Sequence, residues 1–197
     1  MTKNPSVVHL CVDVQNMFAA DSDWHTPWLD KVLPAIEAIV ERAPRNTIFT
    51  RFIPPLEAGD EIGTWREYYT RWPSMVRSRL ATDMLQVVPT LARHIPPARH
   101  FDKNRYSPWL FGDLDATLRT EGVETLIVSG GESDVCVMAT VLGAVDLGYR
   151  TIVATDALFG SANQTHDAAL TVFHSRFGQQ LTACSTQQLL DNWEDIR

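Results

Sequence analysis

The chain of 197 residues is short of cysteine: it has three, Cys11, Cys136 and Cys184, and no C-x-x-C pair. An odd, scattered set provides neither a disulfide framework nor a thiolate zinc site, and it fits a reducing cytoplasm. Positive charge is also in deficit. Seventeen Lys and Arg against 24 Asp and Glu give a formal net charge of −7, which argues against a nucleic-acid or anionic-membrane surface. No apolar run approaches a membrane span, and the first residues show neither an apolar h-region nor a small-residue cleavage site. No Pro/Gly/Ser-rich linker divides the chain. These absences lead to the expectation of one cytoplasmic domain, 1–197, whose partners are small molecules or copies of itself.

What is present centres on residues 126–147, LIVSGGESDVCVMATVLGAVDL. Leu126, Ile127 and Val128 form an apolar, partly β-branched run ended by Ser129, Gly130 and Gly131, as in a buried parallel strand stopped by a tight turn. Ser133 or Asp134 is expected to cap the following helix, in which Val137, Val141, Ala144 and Val145 recur at helical spacing. Cys136 then falls in the first turn, where unpaired N–H groups and the helix dipole favour a thiolate, so a lowered pKa and a nucleophilic sulfur are expected. The same N–H groups suit the oxyanion formed when that sulfur attacks a carbonyl. The plainer alternative is a buried, inert cysteine at a helix start.

Upstream, VVHLCVDV (7–14) is a strand that leaves Asp13 near its C-terminal end, either at the edge where open α/β sheets bind ligands or tying a loop. Residues 16–27 read as a polar loop in which Phe18 and Trp24 flank a pocket and His25 takes a surface role. The spacing of Leu29, Val32, Leu33, Ile36 and Val40 predicts an amphipathic helix over 28–43. TIFTRF (47–52) is a second strand with Arg51 at its end, placed either to hold a substrate carboxylate or carbonyl or to pair with an acidic neighbour. In the irregular section 53–97, Trp65, Tyr68, Tyr69 and Trp72 share one helix face, which must bury against the chain's own core, a subunit interface or a ligand pocket.

Residues 99–102 form a short third strand with Lys103 just beyond it, either converging with Asp13 and Cys136 or solvated at the surface. Tyr106 and Trp109 follow in a loop suited to line a cleft. A helix over 111–120, a strand over 151–154, a helix over 165–173 with His166 tying a loop, a strand over 180–184 and a last helix capped by Ser185 complete the pattern. Strands alternating with helices predict an α/β fold with a doubly wound parallel sheet.

With Asp13 after the first strand, Lys103 after the third and GGESDVCV after the fourth, the sequence resembles the isochorismatase-like cysteine hydrolases. VDVQNMF, DKNRYSPW, SGGESDVCVMATVLGAVDLGY and VATDAL match the family's successive landmarks. The resemblance implies a three-layer α/β/α sandwich around a six-stranded parallel sheet and a triad of Asp13, Lys103 and Cys136. It also implies a cis Gly131–Glu132 peptide and an oxyanion hole made by the N–H groups of Glu132 and Cys136. Phe18, Arg51, Trp65, Tyr106 and Trp109 are the candidates for substrate contact. Nicotinamidase-like members hold a metal with an Asp-x-His and a further His after the second strand, whereas no His falls between His25 and His94 here. No metal and no cofactor are expected. Isochorismatases proper hydrolyse a vinyl ether and lack the cysteine, so Cys136 points to C–N hydrolysis of a small amide, carbamoyl or ureido compound. Ether or ester hydrolysis and a non-catalytic redox-sensing or binding domain are the alternatives. Relatives are commonly dimers or tetramers, which implies a homo-oligomer.

Overall fold

Every run that the sequence marks as a strand enters one sheet. In the computed structural model, which describes residues 7–196, the strands are β1 (Val7–Val12), β2 (Thr47–Phe52), β3 (Arg99–Lys103), β4 (Thr125–Gly131), β5 (Arg150–Phe159) and β6 (Leu181–Cys184). They pair in parallel in the order β3-β2-β1-β4-β5-β6. The chain winds outward from β1 to β3, returns to the middle at β4, and winds out the other way. The reversal between β1 and β4 opens a crevice at the C-terminal ends of the central strands.

Helices cover both faces, which is why the central strands are apolar on both sides. On β1, Val8, Leu10 and Val12 face the cores beneath α5 (Leu114–Thr120), α6 (Cys136–Asp146) and α7 (Asn163–Ser175), while Cys11 faces the core under α2 (Leu29–Arg42). That alternation is the period-2 geometry of a strand. The last helix, α8 (Thr186–Asp191), packs beside α2 and begins with the expected Ser185 cap, whose side chain accepts from the Gln188 backbone N–H. Among the described residues no helix is long and apolar enough to cross a membrane.

Several boundaries differ from expectation for identifiable reasons. β1 stops at Val12 because Asp13 turns into the left-handed region at φ 50°, and the stretch expected as loop opens with a turn of helix, α1 (Asn16–Ala19). β5 extends past residue 154 to Phe159 because a register shift between Val128 and Gly130 lets it keep pairing with β4. The helix expected over 111–120 begins at Leu114. Neither Ser133 nor Asp134 caps α6: Val135 occupies the cap position without a side-chain bond, and Ser133 Oγ instead meets His166 Nδ1 at 2.8 Å.

Gly130 is where β4 passes closest to β1. Its φ is +104°, and a Cβ placed there would lie 2.1 Å from the Val12 carbonyl oxygen. Gly130→Ala is therefore expected to lower unfolding free energy by at least about 2 kcal/mol. Gly59→Ala, with nothing within 4 Å and no positive φ, should stay within about 0.5 kcal/mol. Chemical denaturation of both variants checks the pair.

Candidate active site

Three adjacent strands end at the crevice, and each contributes to one hydrogen-bonded group. Asp13 follows β1; a left-handed φ is tolerated by Asp more readily than by most residues. Its backbone N–H donates to Thr50 O at 3.1 Å, and Thr50 Oγ1 on β2 donates back to Asp13 Oδ1 at 2.7 Å. Lys103, the last residue of β3, donates from Nζ to Asp13 Oδ2 at 2.6 Å and to Arg105 O at 3.1 Å. The two side chains are only 1% and 2% exposed. The surface alternative for Lys103 and the loop-tying one for Asp13 do not describe these positions. Gln15 holds the strand ends in place: its side-chain N–H groups donate to Phe52 O and Leu85 O, and its Oε1 accepts from Phe52 N–H at 2.7 Å.

Cys136 opens α6 on the far side of the crevice, close enough for the charges of both Asp13 and Lys103 to act on its sulfur. Burial pushes the Cys136 thiol well above its usual pKa; the Lys103 charge pulls it down, and Asp13 and Glu132 push it up again. The pKa is thus raised and not lowered as the helix position suggested, because one ammonium does not offset the desolvation of a sulfur beside two carboxylates. The sulfur rests as a thiol next to a proton acceptor. Burial acts to lower the Lys103 pKa, but Asp13 and Cys136 outweigh it and leave the ammonium above its usual range. Cys11, by contrast, is sealed in the core, where burial lifts its thiol to about 12.

The sulfur borders a cavity of about 410 Å³. Phe18, Trp24, Phe52, Tyr68, Trp72 and Tyr106 supply aromatic walls, and Asp23, His25, Glu132 and Ser161 supply polar groups. The Gly131–Glu132 peptide is cis. Among the described residues, neither the Glu132 nor the Cys136 backbone N–H donates to a protein acceptor.

Residues 7–185 match the isochorismatase domain family. The chain belongs to the isochorismatase family. It is 39% identical over 84 residues to the nicotinamidase of Escherichia coli, a segment covering 43% of this chain and 37% of that protein. The segments matched in the curated relatives span less than half of each protein's length. Solved structures match over nearly the whole chain. A cysteine hydrolase from Pseudomonas syringae pv. phaseolicola aligns with TM-score 0.81 and 22% identity, covering 96% of this chain and 93% of that one. The N-carbamoylsarcosine amidase of Thermoplasma acidophilum aligns with TM-score 0.73 and 21% identity, covering 91% and 96%.

Within this isochorismatase-family fold, three candidates for substrate contact do not reach the cavity. Arg51 is a correction: Asp102 lies directly across from it in the β2–β3 register and accepts from its Nε at 2.6 Å and Nη2 at 2.8 Å, while Gln86 takes Nη1 at 2.8 Å. Trp109 packs behind α6, with Nε1 donating to Thr140 O at 2.9 Å and its ring against Gly143 and Tyr149. Trp65 stands in a second layer, 4.9 Å from the Tyr106 ring, with the Arg105 guanidinium 4.8 Å above it. The aromatic face of α3 (Gly63–Arg71) is shared between core and cavity: Tyr69 is buried, and Tyr68 lines the cavity with Trp72 just beyond the helix.

His25 is exposed, as expected of a surface residue, and also lines the cavity together with the exposed Asp23, whose carboxylate accepts from Ser74 Oγ. Thr50 was missed altogether; its position opposite Val12 in the β1–β2 register is the signal that would have found it. The nicotinamidase-type metal ligands have no counterpart after β2, where Phe52, Ile53, Pro54 and Pro55 offer only hydrocarbon side chains. Among the described residues, the grouping of Glu37, Glu41 and His94 has ligand spacing, but Arg93 already bonds both carboxylates at 2.5 and 3.1 Å.

Removing one member of a buried ion pair leaves the other unpaired, so Lys103→Met should cost about 3–5 kcal/mol of unfolding free energy, read by denaturation. A raised pKa keeps the proton on sulfur to higher pH. The rate of iodoacetamide alkylation at Cys136, followed by peptide mass, should therefore still be rising through and above the ordinary thiol range near about 8.5. A plateau already reached below about pH 7 would mean that the site favours the thiolate instead.

Proposed function

We propose that this chain is a cysteine amidohydrolase that cleaves the C–N bond of a small amide, carbamoyl or ureido compound through a thioester on Cys136. The observation that carries this reading is the buried Asp13–Lys103 pair, whose charges act on a thiol that borders a cavity. In the proposed reaction, Asp13 takes the thiol proton as the sulfur attacks the carbonyl carbon, a role typically worth about 10²–10⁴ in rate. A resting thiol suits this step better than a free thiolate would, because the proton moves only as the new C–S bond forms.

The carbonyl oxygen becomes an oxyanion, and the uncommitted N–H groups of Glu132 and Cys136 are the donors assigned to it; each such donor is worth about 10²–10³. Lys103 stays positively charged beside Asp13 and the sulfur and offsets their negative charge. Asp13 then returns its proton to the departing nitrogen, and ammonia or an amine leaves. Water, deprotonated by Asp13, hydrolyses the thioester to a carboxylic acid and restores the thiol. The curated relatives named nicotinamidase, maleamate amidohydrolase and ureidoacrylate amidohydrolase support amide chemistry, as does the structural neighbour named N-carbamoylsarcosine amidase. Three free cysteines support a reducing cytoplasm as the working compartment.

Ammonia release from a panel of small amides tests the reading. The wild type should turn over at least one member, and Cys136→Ala should lose at least about 10³-fold in kcat/KM. A substrate-dependent mass increase on the Cys136 peptide should appear after rapid acid quench. Full turnover by Cys136→Ala would contradict it.

A further inference from the structure

The fixed charges among the side chains lining the cavity are of one sign, with the Lys103 ammonium behind the lining, 5.2 Å from the Phe52 ring. The lining carboxylates belong to Asp23 and Glu132, and the Glu132 charge is felt at the Cys136 sulfur. Among the described lining residues, none is Lys or Arg, and His25 alone is able to carry positive charge. Three of the nearby cations are engaged elsewhere, and Arg79, near Asp23, does not line the cavity. Lys103 is spent on Asp13 and Arg105 O, Arg51 on Asp102 and Gln86, and Arg105 on Glu61 at 2.8 Å. Arg71 stacks on Trp72 but is exposed and does not line the cavity.

We propose, resting on the amidohydrolase reading, that the site selects amides whose non-reacting part is a flat, uncharged or cationic body and rejects amides that carry a carboxylate. A carboxylate on the part of the substrate remote from the sulfur exchanges water for aromatic rings without gaining a counter-ion. It also meets the fixed charge of Glu132 through a medium less polar than water. A flat neutral ring instead finds the faces and edges of Phe18, Phe52, Tyr68 and Tyr106, and a cation gains attraction from the same ring faces. The two tyrosines lie near Glu132 and Cys136, and burial first, then neighbouring negative groups, hold the Tyr68 hydroxyl above its usual pKa. Theirs are neutral hydroxyls that can donate to or accept from an amide, and they supply no positive charge to an anion.

A matched pair of alkylating agents reads this selectivity at the sulfur without requiring turnover. N-Phenyliodoacetamide and 4-(iodoacetamido)benzoate, which differ only in a charge remote from the reacting carbon, both form a C–S bond with loss of iodide, and at one pH the thiolate fraction cancels from their rate ratio. At about pH 8, above the ordinary titration range of an imidazole, the neutral-to-carboxylate rate ratio at Cys136 should exceed that of free cysteine by about tenfold or more. Glu132→Gln and Asp23→Asn should each reduce the excess. A wild-type ratio equal to or below that of free cysteine overturns the proposal, whatever the variants do.

In the turnover arm, benzamide, 4-carboxybenzamide and 4-(aminomethyl)benzamide differ only in the charge of one substituent. The carboxylate member should have a kcat/KM at least about tenfold below the neutral one, and the cationic member should not fall below it. A carboxylate member that is the best of the three overturns the proposal. If no amide releases ammonia while the alkylation excess stands, the amidohydrolase reading falls and the charge selection survives.

Discussion

The ion pair between Asp13 and Lys103 constrains the rest of this molecule. Each charge is almost wholly removed from water, at a cost of several kcal/mol per ion that their attraction alone does not reliably offset. Thr50 Oγ1 on the other carboxylate oxygen and Arg105 O on the ammonium complete the compensation. These partners come from the ends of β1, β2 and β3, three neighbours in the sheet, so they meet only if the parallel register between them is held. The Gln15 amide, bonded to both the N–H and the C=O of Phe52, is the clamp that holds it. Register therefore matters here for chemistry as much as for packing.

A consequence is that the site keeps its sulfur neutral at rest. A thiolate would be a second anion beside Asp13 in a desolvated space, with only Lys103 opposing it. On the proposed mechanism negative charge moves from carboxylate to sulfur to oxygen within a few ångströms of one fixed ammonium. The net charge around Lys103 changes little along that path, which suits a low-dielectric site where each uncompensated charge is expensive. The positive end of α6 and the uncommitted N–H groups at its start lie where the last of those charges develops.

Much of the fold was legible because strand and helix leave different apolar periods. TIFTRF begins and ends where expected, and the amphipathic spacing of residues 29–40 recovers α2 to within a residue at each end. The convergence of Asp13, Lys103 and Cys136 was legible from their common position at strand ends, once the resemblance ordered the strands. What escaped depends on distant contacts. The pairing of Arg51 with Asp102 follows from the β2–β3 register, which no local pattern reveals. The raised pKa of Cys136 follows from burial and from the neighbouring Asp13, which is far away in sequence. Ser133 looked like a cap because its partner, His166, lies 33 positions ahead. Trp109 and Tyr106 looked equivalent in one loop, yet one turns behind α6 and the other onto the cavity.

If a shared proton and one fixed positive charge make these three side chains a single device, their contributions to rate cannot be independent. The most direct measurement is kcat/KM, on one amide substrate, for Asp13→Asn and Cys136→Ala singly and together, with folding checked for each variant. The account predicts that the double variant is scarcely worse than the more damaged single one, because either change already removes the whole covalent route. Losses that multiply, each residue contributing its full factor in the absence of the other, would contradict it.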